Sequence, residues 1–476
     1  MRVGFATLTI ALAVSALDAA STGFVYTFGK NQNDYSYGAG VLVLEDGYLT
    51  VGGGLLGGGG KTDGTVIKID ALGNLLWYST YGRDTRDELR FPFESDWGTY
   101  HVFGKFGSSP ILLELDVDGS FLGSISYGIE GYFTDVVRLS DGYAAVGWLK
   151  GAEMPFLMVM DDSGRVRLAR YYTVGNFSGV YPDGSGGFVI VGSVGSAGLV
   201  LRVDSSGNVV WAKGYDGIHQ EYLKDVYVAS SRIFALGSTT SEGAGNWDLW
   251  LLVLDLADGN VNLSRTYGGM NEDHARTLMP SSGKLGVFAY TRSWGAGAEW
   301  WLMEVDALGN VITSLTIGGS GDDFPENGAP TPDGGYFLVG YTQTPAFNSG
   351  GAYDHMVAKL PADKYVCIES GTPTPEVYDF LPDTYSVSVG VYSLSVPETY
   401  PTVVSTMPDI DVKNVCVPFG DGDELGVSER TKCGDLDLQG GNVRIYTVDG
   451  RRVTGDLKPG VYVVVAKGQR YKVLIR

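Results

Sequence analysis

Carboxylates are the side chains in this sequence whose types and spacing could carry chemistry. Acidic clusters follow successive copies of one short strand: Asp84 and Asp87, Glu130 and Asp135, Glu221 and Asp225, Glu272 and Asp273, Asp322 and Asp323. Neighbouring carboxylates can share a cation, or one can donate a proton while the other stays ionised. If each cluster opens the innermost strand of a repeated unit, the acids ring one mouth of a central channel. Asp84, Asp87, Asp135, Asp225, Asp273 and Asp323 are therefore the candidate ligand-binding residues, an acidic funnel for a cation or a basic partner. The competing reading is that they cap loops and accept backbone amides.

Other chemistry is thinner. Turns such as Asp116-Val117-Asp118-Gly119-Ser120 suggest calcium, but such a loop needs roughly six to eight converging oxygens, including a late bidentate acid. These runs lack it and read as hairpin turns. The four histidines, His101, His219, His274 and His355, stand at unrelated repeat positions without ligand spacing. No G-x-S-x-G, H-E-x-x-H or P-loop occurs, and no Ser or Cys nucleophile with a base is visible. No catalytic residue, metal site or cofactor is assigned. Trp77, Trp211, Trp250, Trp300 and Trp301 read as packing between units.

The elements that would hold the acids recur every 45 to 50 residues or so. An apolar strand follows an Asp-Gly turn in Tyr48–Gly52, Tyr143–Gly147, Phe188–Gly192 and Tyr336–Gly340. The next strand ends in Asp at Asp70, Asp116, Asp161, Asp204, Asp255 and Asp306, with Pro361 in the last copy. A Gly turn follows, at Gly73, Gly119, Gly164, Gly207, Gly259 and Gly309, as a tight hairpin with a left-handed residue requires. Then comes an aromatic strand such as Trp77–Gly82. Four strands at this period are the arithmetic of a β-propeller blade. The first three strand types occur seven times, while the aromatic strand clearly follows only six. Phe24–Gly29 matches the missing copy, so an N-terminal strand is expected to complete the seventh blade and remove two exposed edges. Lys364–Ile368 competes for that place.

Residues 24–363 resemble the tandem propeller-type repeats of bacterial secreted proteins, carried best by Asp333-Gly334-Gly335-Tyr336 and by Asp70 to Gly82. The run Asp204 to Trp211 also resembles the Asp-box of sialidase-type propellers, without its Ser-x-Asp order; that motif is structural. The C-terminal Val443-Arg444-Ile445-Tyr446, Asp449-Gly450-Arg451, Leu457 to Tyr462 and Lys472 to Arg476 resemble the sorting domains of bacterial type IX secretion cargo. Gly426-Val427-Ser428 stands where such domains carry Asn-Pro. That resemblance implies a small immunoglobulin-like fold and a sorting role.

Composition narrows the setting. The chain has 476 residues, 55 acidic against 34 basic, and a net charge of −21, which disfavours nucleic acid and anionic membrane surfaces. Arg2 and the apolar run Val3–Ala16 read as a signal peptide, too short to span a bilayer. The three cysteines, Cys367, Cys416 and Cys433, all lie late in the chain; Cys367 with Cys416 is the candidate disulfide.

The expected architecture is all-β: a signal peptide over 1–20, a seven-bladed β-propeller over 22–369, a β-rich spacer over 370–424 and a C-terminal immunoglobulin-like β-sandwich over 425–476. The expected function is a secreted or cell-surface module that binds protein or glycan without catalysis. Two alternatives stand beside it: a hydrolase or lyase acting on extracellular polysaccharide through the channel-mouth acids, and a structural surface or filament component.

Overall fold

The computed structural model describes residues 23–29, 39–54, 62–83, 85–347, 353–364, 371–401, 403–406, 411–416, 444–447, 460–466 and 469–475. All regular elements among them are strands. The candidate leader and the side chains of the Cys367–Cys416 pair lie outside the described residues.

Each repeat is an antiparallel four-stranded sheet. Blade 4, for example, runs Asn176–Pro182, Phe188–Val194, Ala197–Val203 and Val209–Asp216 in that spatial order. The first strands begin at Gly40, Asp87, Gly131, Asn176, Glu221, Asp273 and Asp323. Each touches the next, and Asp323–Pro330 touches Gly40–Val43, which closes a ring of seven. The middle strands are buried on both faces because each sheet is sandwiched between two others. Phe103, Leu112 and Tyr127 of blade 2, for instance, share a core with Phe133, Tyr143 and Phe156 of blade 3. That explains near-continuous apolar runs where a half-buried strand would alternate.

One polar contact repeats between blades. The tyrosine of the outer strand donates its hydroxyl to the carbonyl of the turn glycine in the next blade: Tyr127 to Gly164 at 2.7 Å, Tyr172 to Gly207 at 2.9 Å, Tyr215 to Gly259 at 2.6 Å, Tyr267 to Gly309 at 2.6 Å, and likewise Tyr81 to Gly119. The turn itself is built by its aspartate. Asp204 Oδ1 accepts the amides of Ser206 and Asn208, both at 2.9 Å. Gly259 sits at φ +70°, and a Cβ there would meet the Tyr215 hydroxyl at 2.8 Å, so glycine is required twice over.

Blade 7 is completed by Phe24–Gly29, which pairs antiparallel with Asp354–Leu360 in the register Phe24 to Lys359. The N-terminal strand therefore takes the outer position for which Lys364–Ile368 was the competitor. Lys364 instead folds back, its ammonium donating to Gly334 O at 3.2 Å and Ala362 O at 2.8 Å.

The segment read as a spacer adds a further strand to the rim. It runs backwards around the ring, pairing Glu376–Asp379 with blade 5, Asp383–Ser386 with blade 4, Val391–Ser393 with blade 3, Glu398–Thr399 with blade 2, Val404–Thr406 with blade 1 and Asp411–Cys416 with Phe24–Gly29. On blade 6, Thr316 N–H donates to Gly371 O at 2.9 Å. This belt covers the outer edges that the four-stranded blades would expose. Its strands through blades 4 and 5 are exposed throughout, so backbone pairing rather than burial holds them.

Asp421–Arg476 form a separate unit. Its described strands, Arg444–Thr447, Gly460–Ala466 and Gln469–Ile475, make an antiparallel meander. The remainder of the expected immunoglobulin-like sandwich lies outside the described residues.

Two substitutions separate the joints from the belt. Tyr215→Phe leaves a buried carbonyl without its donor and should lower unfolding free energy in urea by about 1–3 kcal/mol. Tyr392→Ala, on a belt side chain 52% exposed, should change it by less than about 1 kcal/mol.

Candidate functional site

The ring encloses a channel with two mouths. At the crossover face, the outer strand of one blade passes to the inner strand of the next. At the turn face, inner strands turn back through the Asp-Gly hairpins. The candidate acids divide into two tiers along this axis rather than forming one ring.

Asp87, Asp273 and Asp323 open their inner strands at the crossover face and are fully buried. Each accepts the amide four residues earlier: Arg83 N–H at 2.6 Å, Gly269 N–H at 2.8 Å and Gly319 N–H at 2.8 Å. Hydroxyls complete the cap, Thr85 on Asp87 at 2.6 Å, Ser293 on Asp273 at 2.9 Å and Thr344 on Asp323 at 2.9 Å. Glu221 does the same in blade 5, accepting Gly217 N–H at 2.9 Å. These carboxylates tighten the crossing loop. A second acid crowds all three: a Cβ at Gly82 would lie within 3.0 Å of both Asp63 and Asp87, one at Gly268 within 3.0 Å of both Asp248 and Asp273, and one at Gly318 within 2.8 Å of both Glu299 and Asp323. Burial pushes Asp248 and Asp323 up to about 6 and raises Asp87 and Asp273. Asp84 lies outside the described residues.

Asp135 and Asp225 sit deeper, because each is the fifth residue of its inner strand rather than the first. A β-bulge shifts the register of six inner strands, at Arg90, Thr134, Ser178, Lys224, Arg276 and Glu326. The extra residue re-aims the side chains beyond it. Asp135 accepts Val136 N–H at 2.8 Å and, from the next blade, Val180 N–H at 2.9 Å. Asp225 accepts Val226 N–H at 2.7 Å and, from the next blade, Leu278 N–H at 2.7 Å and the Thr277 hydroxyl at 2.8 Å. Both aspartates thus tie neighbouring inner strands together. They line a waist cavity of about 200 Å³ to which all seven inner strands contribute. Burial, then repulsion from Asp225, pushes Asp135 up to about 7; burial raises Asp225 as well.

Towards the turn face the waist opens into a vestibule of about 940 Å³. Tyr181, Tyr227 and Pro280 line both spaces. The Tyr181 and Tyr227 rings meet edge to face at 5.2 Å and 77°, and Phe234 lies 6.2 Å from Tyr227. Pro330, Pro332 and Val43 extend the apolar wall, and Lys284 stands on the rim, paired with Glu304 at 2.6 Å. A wall of fixed rings and prolines with a few polar groups is the usual make-up of a ligand pocket.

Sequence reasoning missed the vestibule tyrosines and the basic bulge residues Arg90, Lys224 and Arg276. The signal was available: in four of the strands the bulge residue is charged and precedes the residue aligned with Asp135. Among the described residues, no group of three or more His, Cys, Asp and Glu side chains is arranged to hold a metal ion.

No protein-family model matches this chain, and no curated protein matches it. Among solved structures it is similar to Drosophila plexin A in complex with semaphorin 1b, at 7% identity and TM-score 0.42, covering 72% of this chain and 87% of that chain. It is similar to the endosialidase of phage phi92 at 11% identity and TM-score 0.36, covering 95% of this chain and 87% of that one. It is also similar to a DUF4221 family member from Bacteroides vulgatus at 8% identity and TM-score 0.35, covering 74% and 98% respectively.

The raised aspartates set the pH dependence. An acid whose pKa is higher in the folded chain than in the unfolded one favours folding while protonated. That contribution is complete below the unfolded value and lost as pH climbs through about 6 and 7, where Asp248, Asp323 and Asp135 ionise. Below about pH 6.5 the buried histidines His101, His274 and His355, held low by burial, act in the opposite sense, so the urea midpoint of the propeller should fall between about pH 6.5 and pH 8. Asp135→Asn, which keeps an acceptor for Val180 N–H and carries no charge, should flatten the upper part of that slope. An unchanged slope in the variant would remove Asp135 as a cause.

Proposed function

We propose that this chain is an exported, cell-surface propeller that binds protein or glycan ligands without catalysis, taking them at the turn-face vestibule. The observation that carries this is the vestibule itself, at about 940 Å³ near the upper end of the roughly 300–1,000 Å³ range of ligand pockets. Residues from five blades line it, so the ligand contacts a rigid frame rather than one loop. Tyr181 and Tyr227 offer flat, amphipathic surfaces that suit a sugar face or an apolar peptide side chain. The resemblance of the N-terminal run to a signal peptide and of the C-terminal unit to type IX sorting domains supports export. The net charge of −21 supports partners other than nucleic acid.

A second reading, hydrolysis or elimination on an extracellular polysaccharide, has one observation in its favour. Asp135 is pushed up to about 7 beside Asp225, the range in which a carboxyl can serve as acid or base. Against it, both carboxylates already accept backbone amides from two blades.

The test is a screen of purified full-length protein on glycan and peptide arrays, repeated with Tyr227→Ala. Selective binding that weakens about tenfold in the variant is expected, the loss of one well-packed aromatic contact. Selective binding indifferent to Tyr227 would move the site elsewhere. Turnover of a bound polysaccharide, abolished in Asp135→Asn, would establish the second reading instead.

A further inference from the structure

The opposite mouth of the channel carries a different chemistry. Three of the six bulge residues, Arg90, Lys224 and Arg276, are basic, against Glu326 as the one acid. This occurs in a chain with 55 acidic and 34 basic residues. They belong to blades on different sides of the ring, yet Arg90, Arg276, Glu326 and Asp225 all lie within electrostatic reach of Lys224. The channel brings them together.

Their charges are unequally satisfied. Arg90 pairs with Glu88 at 3.4 Å, a carboxylate it shares with Arg86 and Lys105. Arg276 donates Nε to Pro325 O at 3.1 Å and stacks over the Tyr290 ring at 5.1 Å. The Lys224 side chain makes no hydrogen bond or ion pair among the described residues. Its burial, with Arg276 as the next cause, holds its ammonium below the usual lysine range. An anion entering here would relieve that cost.

Aromatic side chains stand above these cations at the crossover face. His274 stacks on Tyr290 at 4.9 Å and lies 5.3 Å from Trp247, while the Tyr222 hydroxyl meets His274 Nδ1 at 2.9 Å. Burial, then Arg276 and Arg292, keep His274 uncharged by holding it at about 4. Trp247, Tyr222, His274 and Tyr290 are all half-buried, so each keeps part of its surface open. Flat half-open rings beside under-satisfied cations fit a ligand with one apolar face and one carboxylate.

We propose that the crossover-face mouth binds an acidic saccharide, with Lys224 and Arg276 receiving its carboxylate and the Trp247–Tyr222–His274–Tyr290 cluster receiving the sugar ring. The inference keeps the non-catalytic binding reading but assigns a site on the other mouth. It differs from the acidic funnel expected there, since Asp87, Asp273 and Asp323 are buried caps and a half-buried basic set, Arg90, Lys224 and Arg276, stands with the half-buried Glu326.

Isothermal titration of the full-length protein with hexagalacturonate, and with neutral cellohexaose as control, tests it. Wild type should bind the acidic hexasaccharide and not the neutral one, with affinity falling as salt is added. Lys224→Met should weaken binding about tenfold, as loss of one charge-assisted contact does. Trp247→Ala, a loop change, should weaken it comparably with the urea midpoint unchanged. The proposal is overturned if the two saccharides bind alike, if both variants bind as wild type, or if poly-glutamate binds as tightly through Lys224, which would assign an acidic peptide. Array binding that still depends on Tyr227 in that event leaves the vestibule reading intact.

Discussion

The structure depends on a hydrogen bond between a tyrosine in one blade and the left-handed glycine turn of the next. A propeller blade has two apolar faces, and apolar contact alone does not fix how far one sheet slides over another. The Tyr hydroxyl has one satisfactory partner once buried, and Gly207, Gly259 and Gly309 offer their carbonyls within 2.9 Å. Each tyrosine therefore sets a register between sheets, and the glycine that permits the turn also permits the close approach. The ring can close because every such joint imposes nearly the same rotation.

That constraint also shows where the ring must be closed by other means. Ile317 and Phe28 occupy the position of the donor tyrosine on either side of blade 7, and neither side chain can donate. The joint with blade 6 is instead ionic. Glu304 accepts from the Tyr336 hydroxyl at 2.9 Å and pairs with Lys284 at 2.6 Å and Lys364 at 3.3 Å. The joint with blade 1 is aromatic, with Tyr48 stacked on Phe337 at 4.2 Å and Phe24 beside both, plus a 3.0 Å contact between Thr50 Oγ1 and His355 Nε2. Blade 7 is the blade made from both ends of the propeller segment. Its joints with blades 6 and 1 are made without an outer-strand tyrosine, through the repeat tyrosines Tyr336 and Tyr48 instead. The belt then runs past this seam and pairs Asp411–Cys416 onto Phe24–Gly29, so the closing strand is hydrogen-bonded on both edges.

The ring was legible in the sequence because its turns admit few residues. Asp at the strand end and Gly three to four residues later are demanded by backbone geometry, and they recur even where apolar residues drift. The N-terminal strand was legible for the same reason, as a displaced copy of the Tyr-Gly strand. The belt was legible as a β-rich spacer but not in its pairing, because Glu376–Asp379 and Asp383–Ser386 are exposed throughout and nothing in them marks a blade. Their one sequence trace is the recurrence of Tyr378, Tyr385, Tyr392 and Tyr400, a step set by the distance between blade rims. The acids were found, but their grouping was not. Asp273 and Asp225 both follow the outer-strand tyrosine of the preceding blade, yet Asp273 opens a strand and Asp225 follows a bulge.

The bulges also explain why the channel, rather than the rim, is where this chain can vary its chemistry. Residues one step before the bulge, such as Leu89, Phe133 and Leu223, are buried between blades and must be apolar. Residues one step after are bound to the next inner strand where they are acidic, as Asp135 and Asp225 are. The bulge residue stands outside the strand register, so its side chain is less constrained than those on either side. Arg90, Thr134, Ser178, Lys224, Arg276 and Glu326 share no size or charge, as positions outside the strand register allow. A basic set among them, at the centre of a strongly acidic molecule, is best understood as serving what enters the channel rather than what holds it open.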